Sequence, residues 1–459
     1  RRRSGAVVVV NDRRSAQELQ AARDALAGLP VEWVLGGHPL SLLDGADLVC
    51  PSGGIPLELP LVAEARRRGI PLSNDSQIFL EAAPCPVIGI TGSAGKTTTT
   101  TLLERMAEQV ASRQVANRQV ASRQVAIHNP KSEIRNPFTG GNIGNPLISM
   151  VEGMTPNDLA VMELSSFQLD VMTRSPYVGA ILNITPNHLD RHGTMEAYTN
   201  AKAKILDFQG ADDVAVLGRD DPGAWGLAGR VRGKLVTFGW ESASTGRGTF
   251  PQMDVFLRGN EIILRDGHSE SAIMPRSDVL LRGDHNLLNV LAACAIAAAA
   301  GIPAEAMRAG VRGFRGVPQR LEFVRTWGGA DWYDDSIATA PERAMAGIRS
   351  FDNPLVLLAG GQDKDLPWEG FVDLVCERVD HLVAFGETAE MITGMVRESR
   401  RERPYTIDCC ARLQPAVQAA ARAAAPGDVV LLSPGGTSFD EFRDFEDRGE
   451  WFKKWVMAL

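Results

Sequence analysis

Cysteine is scarce in this sequence, with six among 459 residues. The six stand at positions 50, 85, 294, 376, 409 and 410, and no two of them form a CxxC pair or combine with histidines at zinc-site spacing. This pattern excludes a disulfide-rich scaffold and a zinc module. It favours the reducing cytosol, so we predict a cytoplasmic protein.

Long apolar runs and a secretory signal are also missing. The longest apolar run, 290–302, is rich in alanine and shorter than the roughly 20 residues that span a bilayer. It predicts a buried helix and no membrane insertion. Because the sequence begins with Arg1 rather than methionine, we expect the natural start to lie upstream.

The sequence also has no excess of basic residues. The net charge of -8 and the pI near 5.5 exclude the electrostatic footprint of a nucleic-acid-binding protein. The partners we expect are therefore small molecules, and any phosphate site must be local.

The length and the patterning predict three domains of α/β class. Three stretches alternate short apolar runs with helical periodicity, which is typical of parallel sheets covered by helices. We place the domains at 1–84, 85–316 and 317–459. The second contains the strand 87–91, and the third is a doubly wound sheet with strands such as 355–359 and 429–432.

A five-residue repeat, Q-V-A-(S/N)-R, occupies 109–126 within the central domain. A period of five matches neither the 3.6-residue period of a helix nor the alternation of a strand. We therefore predict a mobile insertion near 109–139. A basic arm that binds a polyanion through Arg113, Arg118 and Arg123 is the alternative.

The strongest motif is a phosphate loop directly after the strand 87–91. Glycines let backbone N–H groups converge on phosphate oxygens at a helix N-terminus, where the helix dipole adds positive potential. Lys96 would reach the β and γ phosphates, and Thr97 would offer its hydroxyl to Mg²⁺. The spacing, GxxGKT, is shorter than that of common NTPases, and the alternative is a glycine-rich turn with a surface lysine. The residues predicted to surround ATP here are Gly92, Ser93, Ala94, Gly95, Lys96, Thr97 and Thr98.

Two further polar segments follow apolar strands of the same domain. Glu163 ends one strand, and a carboxylate at the carboxyl edge of the sheet can hold Mg²⁺, although a strand-end glutamate alone is more often a solvated turn residue. His188 follows another strand and offers an imidazole to a second metal or to a reacting carboxylate. Chemistry alone gives the downstream Lys202 no metal role, because an ammonium repels Mg²⁺.

These segments together resemble the Mur ligase family. The matching motifs, in family order from about residue 45 onward, are TGSAGKTT, GGNIGNP, MELSSFQL, ILNITPNHLDRH with AKAKI, GDHNLLN, GVPQRLE, DDSIATAPE, LLAGGQDKD and LLSPGGTSFDEF. They are most similar to the glutamate-adding, MurD-type members of the family.

The resemblance implies a three-domain enzyme: an N-terminal Rossmann-like domain for a UDP-linked precursor, a central ATPase and a C-terminal Rossmann-like domain for glutamate. ATP would phosphorylate the carboxylate of UDP-N-acetylmuramoyl-L-alanine, and the amine of glutamate, most simply D-glutamate, would attack the acyl phosphate. This is an ATP-dependent acid–amino-acid ligase of peptidoglycan synthesis. Two Mg²⁺ sites and a monomeric state are also implied.

The resemblance also assigns residues by position. Lys96, His188 and Lys202 would be catalytic. The metal ligands would be Thr97, Glu163, His188 and a carbamylated Lys202. The neighbouring Lys204 has no implied role. The remaining matches are Asn286, Asn289, Arg320 and Asp335 for ATP; Asp12, Arg13, Ser52, Gly54, Asn142 and Ser165 for the UDP-precursor; and Thr339, Lys364, Ser438 and Phe445 for glutamate.

The chain departs from the family pattern at two places besides the repeat. The first strand and glycine turn of the N-terminal domain are absent, which predicts a truncated domain with altered uridine binding. Ile337 stands where some members have a lysine that contacts glutamate. The alternatives that stay open are a folylpolyglutamate synthetase-like ligase, a phosphate-loop kinase or nucleotide switch, and an inactive truncated product.

Overall fold

The computed structural model describes residues 5–52, 55–121, 134, 136–142, 146–186, 189–241, 251–281, 283–363, 366–399 and 401–459, with 113–121, 189 and 190 described by their backbone alone. The chain divides into two compact units, Arg1–Arg312 and Gly313–Leu459. Each unit has a sheet of its own in mixed α/β architecture, which confirms the predicted fold class. No helix among the described residues is long and apolar enough to cross a membrane.

The first unit opens with a small α/β segment. Its strands β1 (Val8–Asp12) and β2 (Val31–Leu35) pair in parallel, with Val8 opposite Val31. Its helices are α1 (Gln20–Ala25), α2 (Pro60–Arg67) and α3 (Asp75–Ala82). The side chain of Asn74 accepts a hydrogen bond from the N–H of Gln77 at 2.8 Å, so it caps the start of α3.

A nine-stranded sheet follows, in the order β11-β10-β9-β8-β7-β6-β3-β5-β4. The strands are β3 (Val87–Thr91), β4 (Pro137–Gly141), β5 (Leu159–Glu163), β6 (Val178–Ile181), β7 (Val214–Gly218), β8 (Lys234–Gly239), β9 (Met253–Arg258), β10 (Glu261–Asp266) and β11 (Ser269–Pro275). Pairing is parallel from β4 through β9 and antiparallel among β9, β10 and β11. Every residue of β3 is buried, so the strand before the phosphate loop lies deep in the sheet.

The helices of this sheet include the predicted alanine-rich one. They are α4 (Lys96–Ala121), α5 (Ser166–Leu169), α6 (Leu189–His192), α7 (Met195–Asp207), α8 (Pro222–Trp225), α9 (Asp284–Ala299) and α10 (Ala304–Val311). Most of α9 is buried, including Val290 and Ile296, which confirms a buried helix where the apolar run lies.

The repeat is helical as far as the structure describes it. Helix α4 continues to Ala121, so the prediction of a mobile insertion is wrong for 109–121, and 122–133 lie outside the described residues. The repeat contains neither glycine nor proline, and extending an existing helix avoids the cost of nucleation. The period of five therefore excluded an apolar stripe but did not exclude a helix.

The second unit is a six-stranded sheet in the order β12-β13-β17-β14-β15-β16. Its strands are β12 (Glu322–Trp327), β13 (Ala330–Asp334), β14 (Leu355–Gly360), β15 (His381–Phe385), β16 (Thr406–Cys410) and β17 (Val429–Gly435), and its helices are α11 (Pro341–Ile348), α12 (Glu369–Arg378), α13 (Ala389–Glu398), α14 (Leu413–Ala423) and α15 (Phe445–Met457). Only the β12–β13 pair of this described sheet is antiparallel. Separate apolar clusters, around Leu357 and around Leu358, cover its two faces, as in a doubly wound sheet.

Candidate active site

The phosphate loop joins the buried end of β3 to the start of α4. Asn183, which follows β6, fixes the loop: its carbonyl accepts from the N–H of Ser93 at 3.0 Å, and its side-chain oxygen accepts from the N–H of Ala94 at 2.9 Å. Gly95 has a φ of +83°, and a side chain there would collide with Asn289. The loop therefore requires glycine at this position. The predicted ATP residue Asn289 thus lies against the loop, and its amide donates to Asn286 at 3.2 Å.

Glu163 connects several predicted site residues at the carboxyl end of β5. Its side chain is 2% exposed, and its two oxygens accept from Thr97 Oγ1 at 3.0 Å and from Asn142 Nδ2 at 3.1 Å. The predicted metal ligands Thr97 and Glu163 are therefore in direct contact. Within the described residues, no three His, Cys, Asp or Glu side chains form a ready metal cluster.

Lys202 reaches the same loop from α7. It is 2% exposed and donates to the carbonyl of Gly92 at 3.0 Å and to Thr91 Oγ1 at 3.3 Å. Burial and, to a smaller extent, the nearby charge of Lys96 lower its pKa to about 7, while Glu163 opposes the shift. Lys96 itself donates to the carbonyl of Gly92 at 2.9 Å, so both ammonium groups meet at one carbonyl. Lys204 instead bonds the carbonyl of Asp170.

A cavity of about 750 Å³ lies in the first unit, and its lining includes Asn142, which donates to Glu163. Three predicted precursor residues line it, namely Ser52, Asn142 and Ser165. Asp12 ends β1 and Arg13 follows it, and neither is among the described residues that line this cavity. Asp12 is paired with Arg14 at 2.8 Å. The structure therefore brings part of the predicted precursor set together and leaves the end of β1 apart from this cavity.

Three cavity residues were missed by the sequence reasoning: Phe167, Arg191 and His192. The rings of His192 and Phe167 are stacked with centroids 5.1 Å apart, and the Arg191 guanidinium lies 4.9 Å from the Phe167 ring. The Nε2 atom of His192 is 2.9 Å from Ser166 Oγ. All three residues stand in recognised motifs, so two rings and a charge close to strand ends in the sequence were the available signal.

In the second unit, Asp335 is a buried carboxylate beside Arg320. It accepts from Ser433 Oγ at 2.8 Å and from the N–H of Leu321 at 3.3 Å. Burial raises the pKa of Asp335 to about 7 against the opposing hydrogen bonds from Ser433 and Leu321 and the positive charge of Arg320. The two predicted ATP residues of this unit are thus electrostatically coupled.

The fully buried Arg448 organises the region of the predicted glutamate residues. Its guanidinium donates to Ser336 O at 2.9 Å and to Thr437 O at 3.0 Å, and Ser336 Oγ in turn donates to Phe445 O at 2.8 Å. These bonds tie the chain segments that carry Thr339, Ser438 and Phe445. Sequence reasoning missed Arg448, since a buried arginine cannot be told from a surface one by spacing.

The predicted residues Gly54, His188 and Lys364 lie outside the described residues. The proposed roles of His188 in catalysis and metal binding, and of Lys364 in glutamate binding, stay predictions.

The chain is similar to known proteins in both of its units. Residues 90–297 match the Mur ligase middle domain, and residues 319–436 match the Mur ligase glutamate ligase domain. UDP-N-acetylmuramoylalanine–D-glutamate ligase of Symbiobacterium thermophilum is 40% identical over 99% of this chain and 93% of its own length. The enzyme of the same name from Acetivibrio thermocellus is 35% identical over 100% of this chain and 92% of its own length.

Solved structures share the fold at lower identity. MurF of Acinetobacter baumannii aligns with a TM-score of 0.52 and 20% identity, covering 83% of this chain and 78% of that one. FolC of E. coli, solved with ADP, aligns with a TM-score of 0.52 and 16% identity, covering 84% and 92%. From the sequence relatives, this chain belongs to the Mur ligase family, among the UDP-N-acetylmuramoylalanine–D-glutamate ligases.

Proposed function

We propose that this chain uses ATP to join the carboxylate of UDP-N-acetylmuramoyl-L-alanine to the amine of D-glutamate, in peptidoglycan precursor synthesis in the bacterial cytoplasm. The names of the full-length relatives support this assignment. The observation that carries it is the convergence of Lys96, Glu163 and Lys202 on one phosphate loop, with Glu163 bonded to Asn142 in the lining of a cavity of about 750 Å³.

The reaction first needs an activated carboxylate. A carboxylate repels nucleophiles, and transfer of the γ-phosphoryl group of ATP to one of its oxygens gives an acyl phosphate that neutralises this charge and supplies a leaving group. The glutamate amine then forms the C–N bond, phosphate departs, and the amine loses a proton. Lys96 and the N–H groups of the phosphate loop balance the charge on the phosphates.

The donor set of the first unit fits Mg²⁺, with one condition. The hydroxyl of Thr97 and the carboxylate of Glu163 are hard oxygen donors in mutual contact, as Mg²⁺ prefers. His188 and Lys202 complete the proposed set for the two ions. Bound Mg²⁺ would neutralise charge on the transferring phosphate and orient it.

The condition is that Lys202 carries a carbamate. A pKa of about 7 leaves a large fraction of Lys202 as the neutral amine near neutral pH, and only the neutral amine attacks CO₂. Formation of the N–C bond releases one proton and leaves an anion. Carbamylation thus converts a cation that repels Mg²⁺ into an oxygen ligand that attracts it.

The other proposed roles follow the two units. Asn286 and Asn289 near the phosphate loop, with Arg320 and Asp335 of the second unit, would contact ATP. Glutamate would bind among Thr339, Lys364, Ser438 and Phe445. The UDP-precursor would use the cavity, with Ser52, Gly54, Asn142 and Ser165, while Asp12 and Arg13 are proposed for its uridine end.

Phosphate release with each substrate omitted in turn tests this function. We expect release only when ATP, UDP-N-acetylmuramoyl-L-alanine and D-glutamate are all present, and much slower release with L-glutamate. A folate substrate in place of the UDP-precursor tests the folylpolyglutamate alternative, because this chain shares its fold with FolC, a protein solved without its folate substrate. Sustained ATP hydrolysis without the precursor and the amino acid would instead indicate a kinase or nucleotide switch, and no release with all three would indicate an inactive product.

A further inference from the structure

The turn 319–321 in the second unit has a strained backbone. Gln319 has a φ of 55° and Leu321 a φ of 45°, although neither is glycine. They flank Arg320, whose side chain is exposed. Residues with a side chain adopt this left-handed conformation at a cost, and they keep it only where surrounding contacts hold them.

Glu322 at the start of β12 and the C-terminal helix α15 together supply those contacts on one side. The carboxylate of Glu322 accepts from the N–H of Gln319 at 2.9 Å, and that of Glu450 accepts from Gln319 Nε2 at 3.0 Å. The ammonium of Lys453 lies 3.1 Å from Glu322 and 2.8 Å from Glu450, so it bridges both carboxylates. Lys453 therefore joins the two groups that hold the main chain and the side chain of Gln319.

Close packing of α15 and hydrogen bonds from the opposite side also hold the turn 319–321 in place. A side chain at Gly449 would collide with Gln319 and Asp334, so α15 lies directly against the turn. The carbonyl of Gln319 accepts from the N–H of Ile337 at 3.1 Å, and Asp335 accepts from the N–H of Leu321 at 3.3 Å. The turn is thus bonded to a proposed ATP residue on one side and to the Lys453 bridge on the other.

We propose that Lys453 is a positioning residue for nucleotide binding, which holds Gln319 in its left-handed conformation and so presents Arg320 to ATP. This inference rests on the proposed function, in which Arg320 contacts ATP. Without the ammonium, the like charges of Glu322 and Glu450 repel across Gln319. The turn then spends less time in the competent conformation, and the apparent affinity for ATP falls by that fraction.

The test is Lys453→Met, which keeps the length of the side chain and removes its charge. We expect the KM for ATP to rise about fivefold to tenfold, because only the competent fraction binds. The kcat at saturating ATP and the KM values for the UDP-precursor and D-glutamate should stay within about twofold. Lys453→Arg should restore most of the ATP affinity, since it keeps the charge at this partly exposed pair.

Lys454→Met is the matched control. It makes the same change one residue further along α15, where the Lys454 ammonium lies 4.3 Å from the Trp451 ring on the exposed side. Its ATP KM should equal that of the wild type. If Lys453→Met does not fold, Glu450→Ala removes the other end of the bridge at a side chain that is 64% exposed, and an unchanged ATP KM would then overturn the inference.

Arg320→Ala separates this inference from the function on which it rests. If Arg320→Ala leaves the ATP KM unchanged, the proposed contact of Arg320 with ATP is wrong, and the positioning role is overturned with it. If Arg320→Ala raises the KM and Lys453→Met does not, only the positioning role is wrong. If Arg320→Ala and Lys453→Met each raise the KM for ATP, the double variant should bind ATP no more weakly than Arg320→Ala alone.

Discussion

Lys202 and Lys204 stand two residues apart on α7 and have opposite surroundings. Lys202 is buried against the phosphate loop, whereas Lys204 is partly exposed and bonds Asp170. Lys202→Ala should lower ligase turnover by about a hundredfold or more, because it removes a proposed metal ligand. Lys204→Ala should stay near wild type. Steady-state phosphate release measures both, and acetate should partly restore Lys202→Ala by entering the vacated space.

The arginine variant distinguishes a carbamate from a simple cation. Lys202→Arg keeps a positive charge, fills the space and cannot form the carbamate, so it should be inactive and insensitive to acetate. Wild-type turnover of this variant would contradict the carbamate role. An unmodified Lys202 in the crystal structure of active enzyme at saturating bicarbonate would contradict it equally.

Asp334 makes the stability of the second unit depend on pH. Burial raises its pKa from 3.8 to about 7, and its Oδ2 atom has no hydrogen-bond partner within the part of the chain that the structure describes. Between these values the folded state keeps a proton that the unfolded state releases, so the free energy of unfolding falls as pH rises from about 4 to about 7. The contribution is complete below the unfolded pKa and lost above the folded one.

Asp334→Asn should therefore stabilise the protein more at pH 8 than at pH 5, because asparagine has no charge to bury. Urea unfolding followed by tryptophan fluorescence at both pH values measures the difference. Asp335 also has a raised pKa, but it is present in both the wild type and Asp334→Asn, so its contribution to the difference in stability largely cancels. An equal shift of the unfolding midpoint at both pH values would show that Asp334 is not the titrating group.

At the scale of elements, local sequence patterns were sufficient to predict the position of the phosphate loop. A buried strand, a glycine-rich turn and a helix are contiguous in sequence, and the strand 87–91 was predicted with the bounds that β3 has. Arg448 shows what was not predictable. Its bonds to Ser336 and Thr437 depend on how α15 folds back on the sheet, and sequence spacing contains no information on that placement.

The repeat in α4 shows the other limit, since periodicity reports burial and not helicity. Val110 is buried, so the start of the repeat belongs to the core.

Deleting 113–126 and joining the ends with a short Gly/Ser linker should leave turnover within about threefold, because doubling a loop costs only about 0.6 kcal/mol. Loss of soluble protein, or a hundredfold fall in phosphate release, would show that the distal repeat is structural.

At the scale of the whole molecule, the proposed chemistry is divided between two units. The phosphate loop and Lys202 belong to Arg1–Arg312, whereas Arg320, Asp335 and the proposed glutamate residues belong to Gly313–Leu459. Neither unit contains the full set, so we expect ligase turnover only from a chain that has both. The units need not depend on each other for folding.

The second unit should therefore fold alone. Its sheet has an apolar cluster on each face, and both clusters are built entirely from its own residues. Residues 313–459 expressed alone should unfold in one cooperative transition by circular dichroism, as a domain with its own core does. A matched fragment, 313–444, lacks α15 and with it the core residues Phe452 and Val456 and the five hydrogen bonds that Arg448 donates. That loss exposes the face of the sheet around Trp332, so the shorter fragment should show no cooperative transition. If the longer fragment also melts without one, the stability of this unit depends on the first.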